Sequence, residues 1–368
     1  MREAILACPR HQFSGRFRVV EGETVRDAAG HEAQNHFGVI YANTVLHYAG
    51  DNDEELPASN SQAAWVAYMV QLLDLRPGQH VLEIGSGGGW LAALMGYIVG
   101  PQGRVTGVEI IEGLAAASRR SMSAAGISNV SIVAADGAEG YPAHAPYDRA
   151  VFTAGTWDLP RAFFEQVRDG GLLLVPLRIK GSGCDVVLLR KIGDHFRAEQ
   201  AHFAYYVSFV GAKSGGGKPR RLADIPFWSQ VCERECLRRP APFGGTFADT
   251  FDFRTSAFRS FLTKTEPRFD VICRRADDVC GFGIIDEASQ SVAICEPHQI
   301  VGYGNPTAAT ALIAAYGHWT ELFMVSVEPF DLTVHPTSAV VTPQKTAWID
   351  KRGDAKLVWS LKEGYQVR

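Results

Sequence analysis

The chain has 368 residues, 46% of them hydrophobic, enough for roughly two domains with real cores. A net charge of −4 leaves no basic surplus to attract nucleic acid, so no nucleic-acid partner is expected. Seven scattered cysteines form no disulfide framework, no apolar run approaches a membrane span, and the N-terminal apolar stretch is too short for a signal peptide; these exclude the secreted and membrane classes and point to a reducing cytoplasm.

Residues 60 to 175 alternate strand and helix patterns in the manner of a parallel sheet. "SQAAWVAYMVQLL" puts Val66, Met69, Val70 and Leu73 on one helical face, and "RPG" then breaks the chain. "HVLEIG" is a near-continuous apolar strand, as expected of one buried on both faces. "WLAALMGYIVG" predicts a helix ending at Gly100, "RVTGVEI" a strand, and "EGLAAASRRSMSAAG" a helix stopped by Gly126. "VSIVAAD", "YDRAVFTAG" and "GLLLVPL" supply three more strands, with "LPRAFFEQVRDGG" a short helix and turn before the last.

Around 211 to 221, "GAKSGGGKPRR" replaces apolar pattern with glycine and basic residues, which suits a linker or exposed loop. Beyond it "RFDVICRR", "GFGIIDE", "SVAICEP", "FMVSVEP" and "LTVHP" read as short strands. "PTAATALIAAYGHWTEL" reads as a helix with Pro306 near its first turn, and "AWIDKRGDAKLVWSLK" as a hairpin turning at Gly353 and Asp354. The expected fold is a doubly wound, Rossmann-like α/β domain over 1–212, a linker over 213–225, and a smaller α+β domain over 226–368.

The chemistry concentrates in "VLEIGSGGGW". A dinucleotide fingerprint would need a third glycine where Trp90 stands, and a triphosphate loop would need Gly-Lys-Ser/Thr. What remains is Glu83-x-Gly85-x-Gly87-x-Gly89, a strand-to-helix turn open to close backbone approach. An acid at its mouth is a poor neighbour for phosphate and a good one for a cationic amino group, which S-adenosylmethionine carries. Glu109 ends the next strand, 20 residues past Gly89, where ribose hydroxyls would meet a carboxylate. Asp136 ends the following strand, where an adenine amino group would be bonded. The three acids are expected to converge on one cleft; the bland alternative makes each a turn residue or cap.

At this point the chain resembles the protein-L-isoaspartate O-methyltransferases, over roughly residues 1 to 210. "AILACPRHQF" is similar to the family's Val-Pro-Arg-x-x-Phe segment, and "YANTVL" occupies the place of Tyr-x-Asp-x-Pro-Leu. "SNSQAAWVAYMVQLLDLRPGQHVLEIGSGGGW" parallels its Thr-Ile-Ser-Gln-Pro helix, turn and glycine loop, and "AADGAEGYPAHAPYDRAVFTAG" with "LPRAFFEQVRDGGLLLVPL" repeats its further motifs in order. The resemblance implies methyl transfer from S-adenosyl-L-methionine to an aspartyl or isoaspartyl side-chain carboxylate of a peptide or protein, leaving S-adenosyl-L-homocysteine. It implies that Glu83, Gly85, Ser86, Gly87, Gly89, Glu109, Ile110, Asp136 and Gly137 hold the donor. Ser61 and Ser59 fall on the serine and threonine of the Thr-Ile-Ser-Gln motif and are the implied catalytic residues. Ser61 is expected at the start of a helix, where free N–H groups favour a carboxylate; an ordinary cap is the alternative.

Three departures stand out. Ala63 replaces the motif's proline, and "HYAGDNDEELPAS" sets Asp51, Asp53, Glu54 and Glu55 beside the expected substrate entrance, where they would repel acidic peptides. The chain also continues about 150 residues past the usual end, and "YGNPTAATALIAAYGHWTELFMVSVEP" resembles the added domain of relatives that modify lanthipeptides, lasso peptides and graspetides, which implies a dedicated peptide-modifying enzyme whose ester leads to succinimide or isoaspartate, with general protein-L-isoaspartate repair as the alternative. No metal is expected: Cys232-x3-Cys236 alone approaches zinc spacing and reads as two thiols on one helical face. A base-methylating enzyme would need an Asn/Asp-Pro-Pro-aromatic motif where "TAGTWDLP" stands. Small-molecule O-methylation stays open, with the second domain as a lid, and a donor-binding scaffold is the non-enzyme alternative; Ser61 and Gln62 argue against the latter.

Overall fold

The computed structural model describes residues 1–19, 24–28, 31–178, 180, 184–204, 206–212, 216–217, 219–241, 253–275, 278–296, 298–322, 330–342 and 347–362. The chain divides into two compact units, the first Met1–Leu177, Cys184–Ser214 and Gly353–Ala355, the second the remainder.

In the first unit, β1 (Arg16–Arg18), β2 (Arg26–Asp27), β3 (Leu46–Ala49) and β4 (Glu55–Asn60) form a small sheet in the order β2-β1-β3-β4. It closes over Phe17, Ala28, Ile40 and Leu46, and pairs Ser59 with His47 and Asn60 with Leu46. α1 (Arg2–Ala7) and α2 (Phe37–Ile40) flank it in sequence. The main sheet holds β5 (His80–Ile84), β6 (Arg104–Glu109), β7 (Val130–Ala134), β8 (Tyr147–Phe152) and β9 (Val167–Arg178) in the order β9-β8-β5-β6-β7. Every pairing among these five is parallel. The winding reverses between β5 and β8, so the crevice expected to hold a ligand opens at their carboxyl ends.

The helices follow their sequence signals. α3 (Ala63–Leu72) buries Val66, Met69 and Val70, with Leu73 buried just past its end. α4 (Trp90–Val99) is apolar all round and buried nearly throughout, ending at Gly100 with φ +69°. α5 (Glu112–Ala124) stops before Gly126 at φ +68°, and α6 (Arg161–Gln166) precedes β9. A feature absent from the expectation is the antiparallel hairpin β10 (Cys184–Ile192) and β11 (His195–Ala204), which extends the sheet beyond β9.

In the second unit, β12 (Arg220–Arg221), β13 (Glu235–Pro240), β14 (Phe269–Arg275), β15 (Asp278–Asp286), β16 (Ser291–Cys295) and β17 (Gln299–Gly304) form a sheet in the order β12-β14-β15-β16-β17-β13. α7 (Trp228–Val231), α8 (Phe253–Thr265) and α9 (Thr307–Glu321) accompany it. β18 (Phe330–Pro336) lies beside the expected hairpin, β19 (Ala347–Lys351) with β20 (Ala355–Leu361). The expected strand "FMVSVEP" lies outside the described residues.

Two expectations are corrected. The latter part of the 213–225 linker is ordered structure: Leu222 and Ile225 are buried in the second unit's core with Phe227 and Val231. Cys232 and Cys236 do not share a helical face, because α7 is one turn long, Cys232 caps it and Cys236 stands on β13. No cluster of metal-ligating side chains occurs among the described residues, and none of their helices is long and apolar enough to cross a membrane.

Candidate active site

The glycine loop leaves β5 with Gly85 in the left-handed region at φ +86°, where a side chain would be strained and its Cβ would come within 2.6 Å of the Thr153 hydroxyl. Gly88 has another reason to be glycine. A Cβ there would lie 2.2 Å from the Phe13 carbonyl and 2.3 Å from the Tyr48 hydroxyl, so the loop is pressed against the N-terminal segment. The buried Tyr48 hydroxyl accepts from Gly88 N at 3.0 Å and donates to Phe13 O at 3.2 Å. Burial pushes its ionisation far above the ordinary range, so it serves as a fixed neutral link.

Two cavities adjoin across this loop and share Ser59, Gly85 and Thr153. The larger, about 540 Å³, is lined by Ile84, Val108, Glu109, Ile110, Gly137 and Phe209 among others. Glu109 accepts from Gly87 N at 2.7 Å through one oxygen and from Ile111 N at 2.9 Å through the other. Each oxygen keeps a lone pair for a ribose hydroxyl.

The smaller cavity, about 340 Å³, is lined by Asn60, Ser61, Glu83 and Ser86 with apolar neighbours. Glu83 is 1% exposed and its Oε2 has no hydrogen-bond partner. Burial, against the opposing effect of Ser86 and reinforced by the nearby Glu109 charge, pushes its carboxyl up to about 7. A lone buried carboxylate is costly, and a cationic amino group beside it removes that cost. The residues present therefore fit S-adenosylmethionine, with Glu83 toward the amino group and Glu109 toward the ribose.

The other expected donor residues divide. Ser86, Ile110 and Gly137 line a cavity; Gly87, Gly89 and Asp136 line neither. Gly87 acts through its N–H on Glu109, whereas Gly89 caps α4, and a Cβ there would meet the Ser118 hydroxyl at 2.1 Å. The three strand-end acids thus do not all converge. Asp136 stands outside both linings, one oxygen accepting from Ala138 N at 2.9 Å and the other from Ala212 N at 2.6 Å, each keeping a lone pair as in Glu109. The partner that takes it is the segment 206–212, which crosses the strand ends and supplies Val207, Ser208, Phe209 and Val210 as a cavity wall. Gly155 fixes that wall, its N–H donating to Val207 O at 2.7 Å and its carbonyl accepting from Phe209 N at 3.0 Å. The run "YYVSFV" is apolar enough to have signalled burial, but no periodicity ties it to residue 155.

On the acceptor side, Ser61 lies one residue outside α3, whose N-cap is Gln62 without a side-chain bond. Ser61 is therefore not the cap. Asn43 Oδ1 supplies that function, accepting from Ala64 N at 3.0 Å. Asn43→Ala is expected to cost about 1 kcal/mol in urea unfolding and to lower methyl-transfer rate by loosening the pre-helix turn; an unchanged unfolding midpoint would count against this role. The segment is held from below by Arg10, 1% exposed, which donates to the carbonyls of Ile40 (2.7 Å), Thr44 (2.9 Å), Asn60 (3.1 Å) and Ser61 (2.8 Å). A bridge from Trp65 Nε1 to the Tyr206 hydroxyl, 2.6 Å, ties α3 to the 206–212 wall.

The acidic run does not reach either cavity. Asp51, Asp53, Glu54 and Glu55 are exposed around the β3–β4 turn, and Asp53 pairs with Arg16. Asp51 and Glu54 instead line a separate groove with Arg16 and Arg120.

A family model described as protein-L-isoaspartate(D-aspartate) O-methyltransferase matches residues 19–214. A protein-L-isoaspartate O-methyltransferase of Methanococcus maripaludis is 36% identical over 175 residues, 48% of this chain and 71% of that protein. One of Methanothrix thermoacetophila is 39% identical over 163 residues, 43% and 76% respectively. A solved structure named protein-L-isoaspartate O-methyltransferase overlays with a TM-score of 0.53 at 21% identity, across 90% of each chain; this is a likeness of fold.

Proposed function

Since the chain belongs to the protein-L-isoaspartate O-methyltransferase family and is an S-adenosylmethionine-dependent methyltransferase, we propose that it esterifies the side-chain carboxylate of an isoaspartyl or aspartyl residue in a peptide or protein. The observation that carries this reading is the pair of adjoining cavities, one with the unpartnered Glu83 carboxylate and one with Glu109, joined at Ser59, Gly85 and Thr153.

S-adenosylmethionine supplies an electrophilic methyl group on a sulfonium. The chain's own task is placement. An acceptor carboxylate is ionised near pH 7 and needs no general base. Ser61 and Ser59 donate hydroxyl hydrogen bonds that orient it, and Arg10 fixes the Ser61 backbone so that those donors do not wander. Residues of α3 wall one cavity and residues 207–210 the other.

The test is an assay of base-labile methanol release from an isoaspartyl peptide and its aspartyl twin. Turnover on the isoaspartyl peptide is expected, and Ser61→Ala should lower kcat/KM about tenfold while leaving S-adenosylhomocysteine affinity unchanged. Turnover on neither peptide, with donor binding intact, would refute general repair. It would favour a second reading, a dedicated enzyme of ribosomal peptide modification, supported by Ala63 in place of the motif's proline and by the added C-terminal residues. The scattered cysteines support a cytoplasmic setting for either.

A further inference from the structure

The loop between β8 and α6, "TAGTWDLP", buries one acid, Asp158, which is 4% exposed. Its Oδ1 accepts from Leu159 N at 2.9 Å within the loop and from Ala355 N at 3.1 Å, and its Oδ2 accepts from Asp354 N at 2.5 Å. The contact runs both ways, since Asp354 Oδ2 accepts from Arg161 N at 3.2 Å. Gly353 leaves room for it: a Cβ there would stand 2.7 Å from Asp158 Oδ2. Gly353–Ala355, at the turn of the last hairpin, count for this reason with the first unit, while the residues before and after them count with the second.

A buried carboxylate is costly unless N–H groups bond it, and bonds to a charged acceptor are stronger than neutral ones. Two of the groups that bond Asp158 lie 196 and 197 residues downstream. The same loop is bonded through to the larger cavity. The Thr156 hydroxyl donates to Asp158 O at 2.6 Å, and Thr156 N donates to Pro176 O at 2.9 Å. Gly155 holds the 206–212 wall, and Thr153 and Ala154 line the cavity itself. We propose that Asp158 is a positioning residue for methyl transfer: by holding the 353–355 tip it sets the 153–156 end of its loop, and with it the Phe209 wall, around the methyl donor. The tip is then part of the catalytic unit, although the family model, matching residues 19–214, does not reach it. This rests on the reading of the larger cavity as a donor site.

Gly353→Ala and Asp158→Asn test this from the two sides. Alanine crowds the tip off the acid and leaves the loop's own sequence intact. Asparagine keeps the oxygen that serves Leu159 and Ala355 and sets an NH2 group against the Asp354 N–H. Val358→Ala, a buried change farther along the same hairpin, controls for lost packing. Calorimetry with S-adenosylhomocysteine, methyl transfer to the isoaspartyl peptide and urea unfolding are measured on all three. The first two variants are expected to fold, to bind S-adenosylhomocysteine about fivefold more weakly and to lose about tenfold in kcat/KM. Val358→Ala should lower the urea midpoint and leave donor affinity at the wild-type level. A lowered midpoint with wild-type donor affinity in Gly353→Ala and Asp158→Asn would overturn the proposal and leave the tip a mere fastening. An equal loss of affinity in Val358→Ala would also overturn it. Should Gly353→Ala fail to fold, Asp158→Asn decides alone, and donor affinity decides where the peptide is not turned over. Failure of the wild-type protein to bind S-adenosylhomocysteine would overturn the donor reading and this proposal together, a result distinct from wild-type binding with indifferent variants.

Discussion

Glu83→Gln weakens S-adenosylhomocysteine binding by about 100-fold and at the same time makes the free protein more stable at neutral and alkaline pH. The two effects share one cause. The Glu83 carboxyl ionises near 7 in the folded chain, against an ordinary value of 4.5, because burial outweighs the opposing effect of the Ser86 hydroxyl. Below pH 4.5 it is protonated in folded and unfolded states alike, and no penalty exists. Between 4.5 and 7 the unfolded chain releases the proton that the folded chain keeps, so stability falls with rising pH and is about 3 kcal/mol lower above 7. Glutamine removes that fall. Donor binding does the reverse: an ammonium beside Glu83 favours the carboxylate, so affinity rises from about pH 5 to about 7 and protons are released on binding at pH 6. Calorimetry in two buffers of different ionisation enthalpy measures the release, and urea unfolding at pH 5 and pH 8 measures the stability change. A variant that binds with wild-type affinity and wild-type pH dependence would refute the assignment.

Arg10→Ala has the largest expected effect on the fold itself. Its guanidinium is held among carbonyls, with no carboxylate partner among the described residues, and stands 5.4 Å over the Trp90 ring. Burial lowers its ionisation to about 10, so it remains charged at neutral pH. Removing it strands the carbonyls of Ile40, Thr44, Asn60 and Ser61 together, for which a loss of about 4 kcal/mol is expected. Arg10→Lys keeps the charge but offers three donors from one point rather than a planar fork, so it recovers only about half. Urea midpoints for both variants decide the matter; an alanine variant within 1 kcal/mol of wild type would refute it. Methyl transfer should fall as well, because two of the untethered residues, Asn60 and Ser61, line the cavity that holds Glu83.

What could be read in advance follows from how local each signal is. β5 announces itself because a strand buried on both faces is a nearly unbroken apolar run, and Gly100 and Gly126 mark helix ends by their positive φ. The β10–β11 hairpin was hidden because Asp185 and Lys191 interrupt its pattern while being buried themselves. α8 was hidden for the opposite reason: its Ser, Thr and Phe content is poor helix former, and packing of Phe258, Phe261 and Leu262 sustains it. In the site, Glu83 and Glu109 were legible as strand-end acids. Arg10, Asn43 and Phe209 were not, since no spacing within a segment states that residue 10 supports residue 61 or that residue 209 covers residue 84. The bond from Ala212 N to Asp136 was illegible for the same reason, its two ends lying 76 residues apart.

The 206–212 wall has a consequence for how such a chain can be cut and spliced. The last strand of the first unit ends at Ala204, and sheet topology alone would put the seam there. A chain joined to foreign sequence at that seam would keep every parallel strand and the whole glycine loop, yet leave the Glu109 cavity without its Phe209 face and Asp136 without its Ala212 partner. An exchange of downstream sequence has to begin no earlier than residue 213, and it has to keep Gly353–Ala355, which belong to the first unit and whose Asp354 and Ala355 N–H groups donate to the buried Asp158. Evolution, like an engineer, has to carry residues 206–212 across with the catalytic sheet.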